Sequence, residues 1–370
     1  MKIVKIEQYR LRHRCQLVKV TTDTDLVGWG ETTLEGKLGS AWAAVEELTD
    51  YLMGKDPLRI EHHWQSMYRS AFNRGGAQNM AAISGLEQAM YDIAGKHFGV
   101  PSYWLLGGPT RDRIKVYAHC SLTDFERMDH LINEKGYKAI KSGPGGKWHA
   151  LETPGRNQSF VEEVYGARKH LGPDVDIALD FHGKMTPAQA IRICKEIEDA
   201  NPLFVEEPIP QENVDALALI ARSTSIPIAT GERLLTRWGF REVVEKQAVA
   251  VLQPDLARSG GLLETKKIAA QAETYYIHLA PHSAIGPVAL AACMQVDACI
   301  PNFLIQEQVD VALGWGILKD DWQVEDGYIP LPEKPGLGFE IDETALEETY
   351  EGDYALPRHF HDDDGSVTDW

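Results

Sequence analysis

Three carboxylate residues recur at equal spacing along the chain, each at the end of a short apolar run. Asp180 ends "DIALD", Glu206 lies in "LFVEEP" and Glu232 ends "PIATGE", and consecutive members are 26 residues apart. Crowded carboxylates repel one another unless a cation balances them, and an oxygen-only ligand set suits Mg²⁺. The spacing therefore predicts that Asp180, Glu206 and Glu232 bind Mg²⁺, in preference to three separate carboxylates paired with lysines.

Two histidines accompany these carboxylates. His182 follows Asp180 in "LDFHGK", and residues i and i+2 of a strand point the same way, about 6.6 Å apart. His182 is therefore expected to face the same cavity as the metal, where it can pass a proton to a bound substrate.

Asp255 ends "QPD" and His282 lies in "PHS", one apolar run later. An aspartate that accepts from an imidazole fixes its tautomer, so His282 is predicted to be a general base.

Together these residues suit the removal of a proton next to a carboxylate group. Such a proton is too weakly acidic to leave at neutral pH unless positive charge stabilises the resulting anion. The metal and Lys141, in the run "YKAIKSG", are expected to supply that charge. Loss of a β-hydroxyl then needs an acid, and His182 is close enough to the metal to act as one. The predicted reaction is β-elimination of water from a hydroxy acid.

Eight short apolar runs carry these residues and alternate with amphipathic stretches in a steady order. The runs are "KVYAHC", "YKAIKSG", "DIALDFHG", "LFVEEP", "PIATGE", "AVAVLQPD", "IHLAPHS" and "FLIQEQ". Between them lie stretches such as "TPAQAIRICKEIEDA", whose apolar residues fall on one helical face. Eight such units predict an α/β fold with a parallel (β/α) barrel, a modified TIM barrel whose chemistry gathers at the carboxyl ends of the strands.

The residues outside the barrel runs predict two further segments. Residues 2–33 alternate as an antiparallel meander, and three helical patterns follow before residue 100. We therefore expect an α+β capping domain over 1–112, the barrel over 113–318, and a C-terminal segment, 319–370, that packs back on the capping domain.

Composition excludes several classes of partner. The chain has 37 Lys plus Arg against 55 Asp plus Glu, a formal charge of −18, which disfavours nucleic acid and anionic membranes. Its five cysteines form no C-x-x-C pair, so buried reduced thiols are expected. Apolar runs are too short to span a membrane and the N-terminus does not resemble a signal peptide. A cytoplasmic location is expected.

Motifs along nearly the whole chain occur in an order and at a spacing typical of one known family. They are "VGWGET", "RGGAQNMAAISGLEQAMYDIAGK", "LDFHGK", "LFVEEP", "GER", "LQPDLARSGG", "LAPHSAIGPVALAAC", "QEQ", "KPGLGFEIDE" and "DDGSVTDW". On these motifs the chain resembles the enolase superfamily, mandelate racemase subgroup. The resemblance implies a barrel capped by an N-terminal domain and, in most members, a homo-oligomer.

The resemblance also implies a role for each site residue. Mg²⁺ is implied on the three carboxylates. His282, paired with Asp255, is implied to be the base at C2, and His182 the acid that expels the C3 hydroxyl. Glu307 in "QEQ" is implied to hydrogen-bond the enediolate or the substrate carboxylate. The implied substrate is a sugar acid, with D-galactonate favoured, and the product is a 2-keto-3-deoxy acid.

The end of the second barrel run departs from the family pattern. Racemases of the subgroup have Lys-x-Lys there and dehydratases a pattern close to Lys-x-Asn, whereas "IKSGPGGKW" has Gly143 at the third position. The absence of a second lysine disfavours a two-base racemase. Residues 143–158 are expected to form a long loop over the site, so sugar specificity can differ from galactonate.

Several alternatives remain open from the sequence. They are a gluconate or mannonate type of dehydratase, a racemase or cycloisomerase of the same superfamily, and a catalytically idle binding protein on an inherited barrel. On the capping domain, Arg74 in "FNRGG" is the candidate for contact with the distal hydroxyls of the substrate. The alternative for Arg74 is a surface loop without substrate contact.

Overall fold

The computed structural model describes residues 1–11, 15–314, 316–347 and 359–369. Its N-terminal part is a three-stranded antiparallel sheet followed by four helices. The strands lie in the order β1 (Ile3–Arg10), β2 (Gln16–Thr22) and β3 (Val27–Glu31). The helices are α1 (Leu38–Leu52), α2 (Ile60–Arg69), α3 (Ala77–Phe98) and α4 (Ser102–Leu105). The meander and the helical segments expected from the sequence are present, and α3 ends at Gly99, whose φ of 72° is left-handed.

Strand β3 lies directly against helix α3, and two glycines of the strand make this approach possible. A Cβ on Gly30 would overlap the carbonyl oxygen of Gly85, and one on Gly28 would overlap that of Ala89. The strand and the helix are therefore packed backbone to backbone. This contact explains why "VGWGE" alternates glycine with larger residues.

The barrel has eight parallel strands. They are β4 (Arg113–His119), β5 (Ala139–Ser142), β6 (Asp176–Asp180), β7 (Phe204–Glu206), β8 (Ile228–Thr230), β9 (Val251–Leu252), β10 (His278–Leu279) and β11 (Gln306–Glu307). Neighbours pair in chain order from β4 to β10, and β11 pairs with β4. A parallel bridge between Leu279 of β10 and Phe303, in the segment that leads into β11, closes the barrel. The predicted fold class is confirmed.

Helices on the outside connect successive strands. They are α5 (Phe125–Asp129, continued by a π-helical turn His130–Glu134), α6 (Pro154–Leu171), α7 (Pro187–Glu196), α8 (Val214–Ala221), α9 (Thr236–Glu245), α10 (Gly261–Glu273) and α11 (Pro287–Cys299). Short 3₁₀ helices span Glu198–Ala200, Asp310–Leu313 and Glu343–Glu347. Each strand, or the residue directly next to it, contributes one side chain to a buried cluster of Tyr117, Ala139, Ala178, Phe204, Ala229, Val251, Ala280 and Ile305. The interior is thus filled, as barrels of this size require.

Two elements differ from the sequence prediction. A further strand, β12 (Tyr328–Pro330), pairs antiparallel with β4 and was not predicted. The loop expected over 143–158 is shorter, because α6 begins at Pro154. Thr153 caps this helix by accepting a hydrogen bond from the Arg156 backbone N–H at 3.3 Å. Thr followed by Pro is a strong helix-start signal, so the sequence already contained this information.

The C-terminal segment divides its contacts between both parts of the molecule. Gly336 accepts a hydrogen bond from the Ser102 N–H (2.8 Å), and the Leu337 N–H donates to Asp92 (2.9 Å), so this stretch lies on the N-terminal helices. Strand β12 instead lies on the barrel, and residues 361–363 contact the loop after β5. Of the segment 319–370, which was expected to pack on the capping domain, the stretch at 336–337 lies on the N-terminal helices and β12 lies on the barrel, while residues 348–358 and 370 lie outside the residues that the structure describes. The domain boundaries themselves stay predictions.

Side chains of the capping region satisfy the N-termini of two barrel helices. Glu87 of α3 accepts from the backbone N–H groups of Leu262 and Leu263 at the start of α10, both at 2.9 Å. Glu31 of β3 accepts from the Ala289 N–H near the start of α11, also at 2.9 Å. Carboxylates at helix N-termini satisfy free N–H groups and complement the helix dipole. The capping region and the barrel are joined through these bonds.

The expectations from composition can be compared with the structure. All five cysteines are buried free thiols, as expected. Among the described residues, no helix is both long enough and apolar enough to cross a bilayer.

Candidate active site

Three buried carboxylates meet at the carboxyl ends of neighbouring strands. Asp180 and Glu206 are the last residues of β6 and β7 and are directly paired in register, and Glu232 lies two residues beyond β8. Each offers a ligand oxygen, and these atoms lie within 4.8 Å of one another. The structure therefore brings together the three residues whose equal spacing predicted a metal site. We refer to Asp180, Glu206 and Glu232 as the acidic triad.

The electrostatics of the acidic triad favour a bound cation. Lys141 of β5 lies 3.0 Å from Asp180 and 2.8 Å from Glu206. It also contacts a third carboxylate, Glu307, at 2.9 Å. Burial and the neighbouring Asp180 nevertheless raise the pKa of Glu206 well above its ordinary value, so ionised Glu206 is unfavourable without a further cation. A buried set of carboxylate oxygens with excess negative charge fits a divalent cation that prefers oxygen ligands.

His182 reaches the triad by a turn of the chain and not by strand alternation. Strand β6 ends at Asp180, and His182 has a left-handed φ of 49°. Its backbone N–H donates to Oδ1 of Asp180 (2.9 Å), and its Nε2 lies 3.4 Å from Oδ2. Burial lowers the pKa of His182. The expectation of two strand residues pointing the same way, about 6.6 Å apart, was wrong, although the imidazole does face the cavity.

His282 lies at the other end of the triad. Its Nδ1 is 2.7 Å from Oδ2 of Asp255, and its Nε2 is 3.2 Å from Oε2 of Glu232. Burial would lower the pKa of this imidazole, but Glu307, Glu232 and Asp255 outweigh burial and raise the pKa to about 10. The predicted His282–Asp255 pair is thus present in the structure. Its ring has one nitrogen bonded to Asp255 and the other directed at the triad.

Glu307 connects the lysine side of the site with the histidine side. Its Oε1 lies 2.9 Å from Nζ of Lys141 and accepts from His119 Nε2 at 2.8 Å. Its Oε2 accepts from the Ser283 N–H at 2.9 Å and lies 3.6 Å from His282 Nε2. Burial would raise the pKa of Glu307, but Lys141 and His282 lower it well below the ordinary value. Glu307 is completely buried, so its contacts here are with protein groups.

Two arginines of the site were missed by sequence reasoning. Arg258 donates through Nε to the carbonyl oxygen of Glu232 (3.0 Å) and lies 2.9 Å from Asp255. Its guanidinium also forms an ion pair with Glu35, from the N-terminal part of the chain. Arg233 lies 3.3 Å from Glu232 and 3.2 Å from Glu207. The only sequence signal was position, since Arg233 follows Glu232 directly and Arg258 follows Asp255 by three residues.

A cavity of about 630 Å³ opens beside the triad. Its lining comprises Leu34, Glu35, Ala77, His182, Gln211, Glu232, Arg233, Leu235, Arg258, His282, Ala284 and Ile285. The two histidines, and both arginines that were missed, therefore face one space. Lys141 is only 3% exposed and lies behind the triad. Arg74 is exposed and does not belong to this lining, in which the capping region is represented by Leu34, Glu35 and Ala77.

Gly143 at the end of β5 lies against the backbone of the neighbouring strand. A Cβ at this position would overlap the carbonyl oxygen of Asp180. In this backbone arrangement the position therefore admits no side chain. The departure from the family pattern at Gly143 follows from a close approach of two strand ends.

The sequence matches two families, one for each part of the molecule. Residues 9–107 match the family described as mandelate racemase / muconate lactonizing enzyme, N-terminal domain. Residues 125–345 match the family described as enolase C-terminal domain-like.

Individual relatives align along the full chain. The D-galactonate dehydratases of Variovorax paradoxus and Ralstonia pickettii are each 42% identical, and each alignment covers 100% of both chains. Among solved structures, an enolase from Agrobacterium radiobacter superposes with a TM-score of 0.92 at 30% identity over 100% of both chains. That enolase is named as a candidate galactarate dehydratase, and its structure holds sodium and L-malate. A protein from Mesorhizobium loti named as a candidate dehydratase superposes with a TM-score of 0.88 at 34% identity, over 95% of this chain and 99% of that one. On these matches the chain belongs to the enolase superfamily, in the group of mandelate racemase and muconate lactonizing enzymes.

Proposed function

We propose that this chain is a Mg²⁺-dependent hydro-lyase that converts a sugar acid, with D-galactonate favoured, into the 2-keto-3-deoxy acid. One observation carries the proposal: the acidic triad lies between two imidazoles that line the same cavity. His182 is 3.4 Å from Asp180, and His282 is 3.2 Å from Glu232. An acid and a base on either side of a metal site are what β-elimination of water requires. The 42% identity to proteins named D-galactonate dehydratase supports the choice of substrate.

His282 is proposed to remove the proton from C2. Its Nδ1 is held by Asp255 at 2.7 Å, and its Nε2 faces the triad, 3.2 Å from Glu232. Because the neighbouring carboxylates raise the pKa of this imidazole to about 10, a cation on the triad would have to lower that pKa before Nε2 can accept a proton near neutral pH. The carboxylate of Asp255 stabilises the imidazolium ion that results. Mg²⁺ on the acidic triad would stabilise the negative charge that develops on the substrate carboxylate as C2 loses its proton.

His182 is proposed to protonate the C3 hydroxyl as it leaves. Burial lowers the pKa of this imidazole, so its protonated form is a stronger acid than an exposed histidine and gives up its proton readily. Lys141 is proposed to supply fixed positive charge behind the triad. Glu307, whose Oε1 lies 2.9 Å from Lys141 and whose Oε2 lies 3.6 Å from His282, is proposed to hold both residues in place and to contact the enediolate or the substrate carboxylate.

The geometry at Gly143 supports dehydration over racemisation. A two-base racemase needs a second base on the far side of the substrate, and a lysine at position 143 would overlap the backbone of Asp180. Three further charged groups that line the cavity, Glu35, Arg233 and Arg258, are proposed to contact the distal hydroxyls instead of Arg74. A homo-oligomeric, cytoplasmic enzyme is part of the same proposal and rests on the family resemblance.

The proposal is tested by turnover on a panel of sugar acids. D-Galactonate, D-gluconate and D-mannonate are each incubated with the chain and Mg²⁺, and 2-keto-3-deoxy products are detected by mass spectrometry. We expect product from D-galactonate and loss of turnover after the metal is removed with a chelator. No product from any of the three acids, or full turnover in the presence of the chelator, would contradict the proposal.

A further inference from the structure

A second cluster of metal-ligating side chains lies outside the acidic triad, where the C-terminal hairpin meets the loop after β5. His149 of that loop and His361 and Asp363 of the hairpin each offer a ligand atom, and these atoms lie within 4.8 Å of one another. The hairpin is defined by a bridge between Phe360 and Val367 and by a hydrogen bond from the His361 N–H to Ser366. More than two hundred residues of chain separate the two segments.

The three side chains are already arranged side by side. Nε2 of His149 lies 3.2 Å from Oδ2 of Asp363. The imidazoles of His149 and His361 are stacked with centroids 3.8 Å apart and an interplanar angle of 12°. Zinc bonds of about 2.0–2.2 Å place tetrahedral ligand atoms about 3.4 Å apart, and an imidazole binds a metal in the plane of its ring. Zinc binding therefore requires the two rings to leave this stacked arrangement and turn their nitrogens toward one point beside Asp363.

The other contacts of the hairpin with this loop leave it weakly held. Phe360 is 46% exposed and Val367 is 80% exposed, so these apolar side chains bury little surface. Lys147 pairs with Asp362, whose side chain is 88% exposed. An isolated two-stranded hairpin is marginally stable in water, and exposed ion pairs contribute little. A metal ion bound by residues from both segments would join them far more firmly.

We propose that His149, His361 and Asp363 bind a transition-metal ion of the Zn²⁺ class, with water in the fourth position. Imidazole nitrogen with one carboxylate suits zinc, whereas Mg²⁺ prefers oxygen ligands, so this site and the acidic triad select different ions. The bound ion joins the C-terminal hairpin to the loop that follows Lys141, and we call this metal-mediated connection the clip.

The clip acts on one wall of the candidate active site. Trp148, next to His149, is 2% exposed and packs edge-on against Phe160, with centroids 5.7 Å apart. Phe160 packs in the same way against Phe181, which lies between Asp180 and His182 in the chain. Ordering of the loop by zinc therefore stabilises the packing beneath the turn that carries His182.

The test is a zinc titration of the untagged, full-length chain by calorimetry, with Mg²⁺ held at saturating concentration. We expect one Zn²⁺ per chain, with an affinity that does not change as Mg²⁺ is raised. Changes to groups that only support a ligand weaken metal binding about 10- to 100-fold, so loss of a ligand in His149→Ala or His361→Ala should weaken it by on the order of 100-fold. His170→Ala is the control, because His170 is an exposed histidine that is likewise paired with an aspartate, Asp129, at 3.0 Å, but lies outside the proposed site.

A second measurement reports on the clip itself. Hydrogen–deuterium exchange of residues 145–150 and 359–369 should slow when Zn²⁺ is added, and should not slow in His361→Ala. The exposed position of the hairpin means that these variants keep the fold, which the unfolding temperature checks. The proposal is overturned if zinc does not bind, if it is displaced by Mg²⁺, if both histidine variants bind it as the native chain does, or if binding leaves exchange unchanged.

Discussion

Nδ1 of His282 lies 2.7 Å from Oδ2 of Asp255, and the backbones of the two residues also form a parallel bridge. The imidazole is therefore oriented by its own side-chain bond and by the two strand ends. Asp255→Asn removes the charge that stabilises the imidazolium and allows the wrong tautomer. We expect kcat to fall on the order of 10²- to 10⁴-fold with little change in KM. An equal loss of Mg²⁺ affinity would instead indicate that the change had disturbed the triad.

His182 and His282 should affect two different steps. In His182→Asn, water loss should be abolished while the C2 hydrogen still exchanges with solvent deuterium, because the base remains. In His282→Asn, both dehydration and exchange should be lost. Deuterium incorporation is followed by NMR of the substrate in D₂O. Full dehydration by His182→Asn would show that another group protonates the leaving hydroxyl.

Neighbouring glutamates on β7 provide a matched pair for the metal site. Glu206 belongs to the acidic triad, whereas Glu207 lies 3.2 Å from Arg233. Glu206→Gln should weaken Mg²⁺ binding on the order of 100-fold or more. Glu207→Gln should keep the Mg²⁺ affinity within a few-fold. Calorimetric titration with Mg²⁺ measures the affinity of both variants. An equal loss of Mg²⁺ affinity in the two would mean that Mg²⁺ binding depends on buried negative charge near the end of β7 and not on Glu206 as a ligand.

The pKa of His282 should depend on the metal. Nearby carboxylates raise the pKa of this imidazole to about 10, and Glu232 at 3.2 Å is one of them. A cation on the triad offsets the negative charge of Glu232, which disfavours the protonated ring, so Mg²⁺ should lower the pKa of His282. Nitrogen-15 NMR of the histidines across a pH titration, with and without Mg²⁺, measures the change. A higher pKa with Mg²⁺ would contradict the assignment of the ion to this position.

The close packing of β3 on α3 should be sensitive to a single methyl group. Gly30→Ala places a Cβ on the carbonyl oxygen of Gly85, and overpacking of this kind costs about 1–3 kcal/mol or more. Gly39→Ala is the control, since its Cβ meets nothing within 4 Å on an exposed face of α1. The control should be neutral or stabilise the chain by up to about 1 kcal/mol. Chemical denaturation of both variants decides between these outcomes.

Local patterns in the sequence predicted the barrel and the groups at its mouth. Each of the eight apolar runs overlaps a strand, because buried parallel strands are nearly continuous in hydrophobicity. The spacing of 26 residues identified the triad because one β/α unit separates adjacent strand ends. Asp255 and His282 were paired for the same reason.

Features that depend on the path of the chain through space were not predicted. The ion pair between Glu35 and Arg258 joins residues 223 positions apart, and no local pattern marks such a contact. Strand β12 was missed because it pairs with β4 across more than two hundred residues. The turn at His182 was treated as strand, although the Gly183 that follows was a sign that the strand had ended.

The bonds from Glu31 and Glu87 to the N-termini of α11 and α10 have a consequence for protein engineering. These two helices follow the strand ends that carry His282 and Asp255, so the first hundred residues help to hold the base in place. A chimaera that exchanges this region to obtain a new specificity would need to retain both glutamates. Leu34 and Ala77, which line the cavity and take no part in those bonds, are the positions that can be redesigned independently.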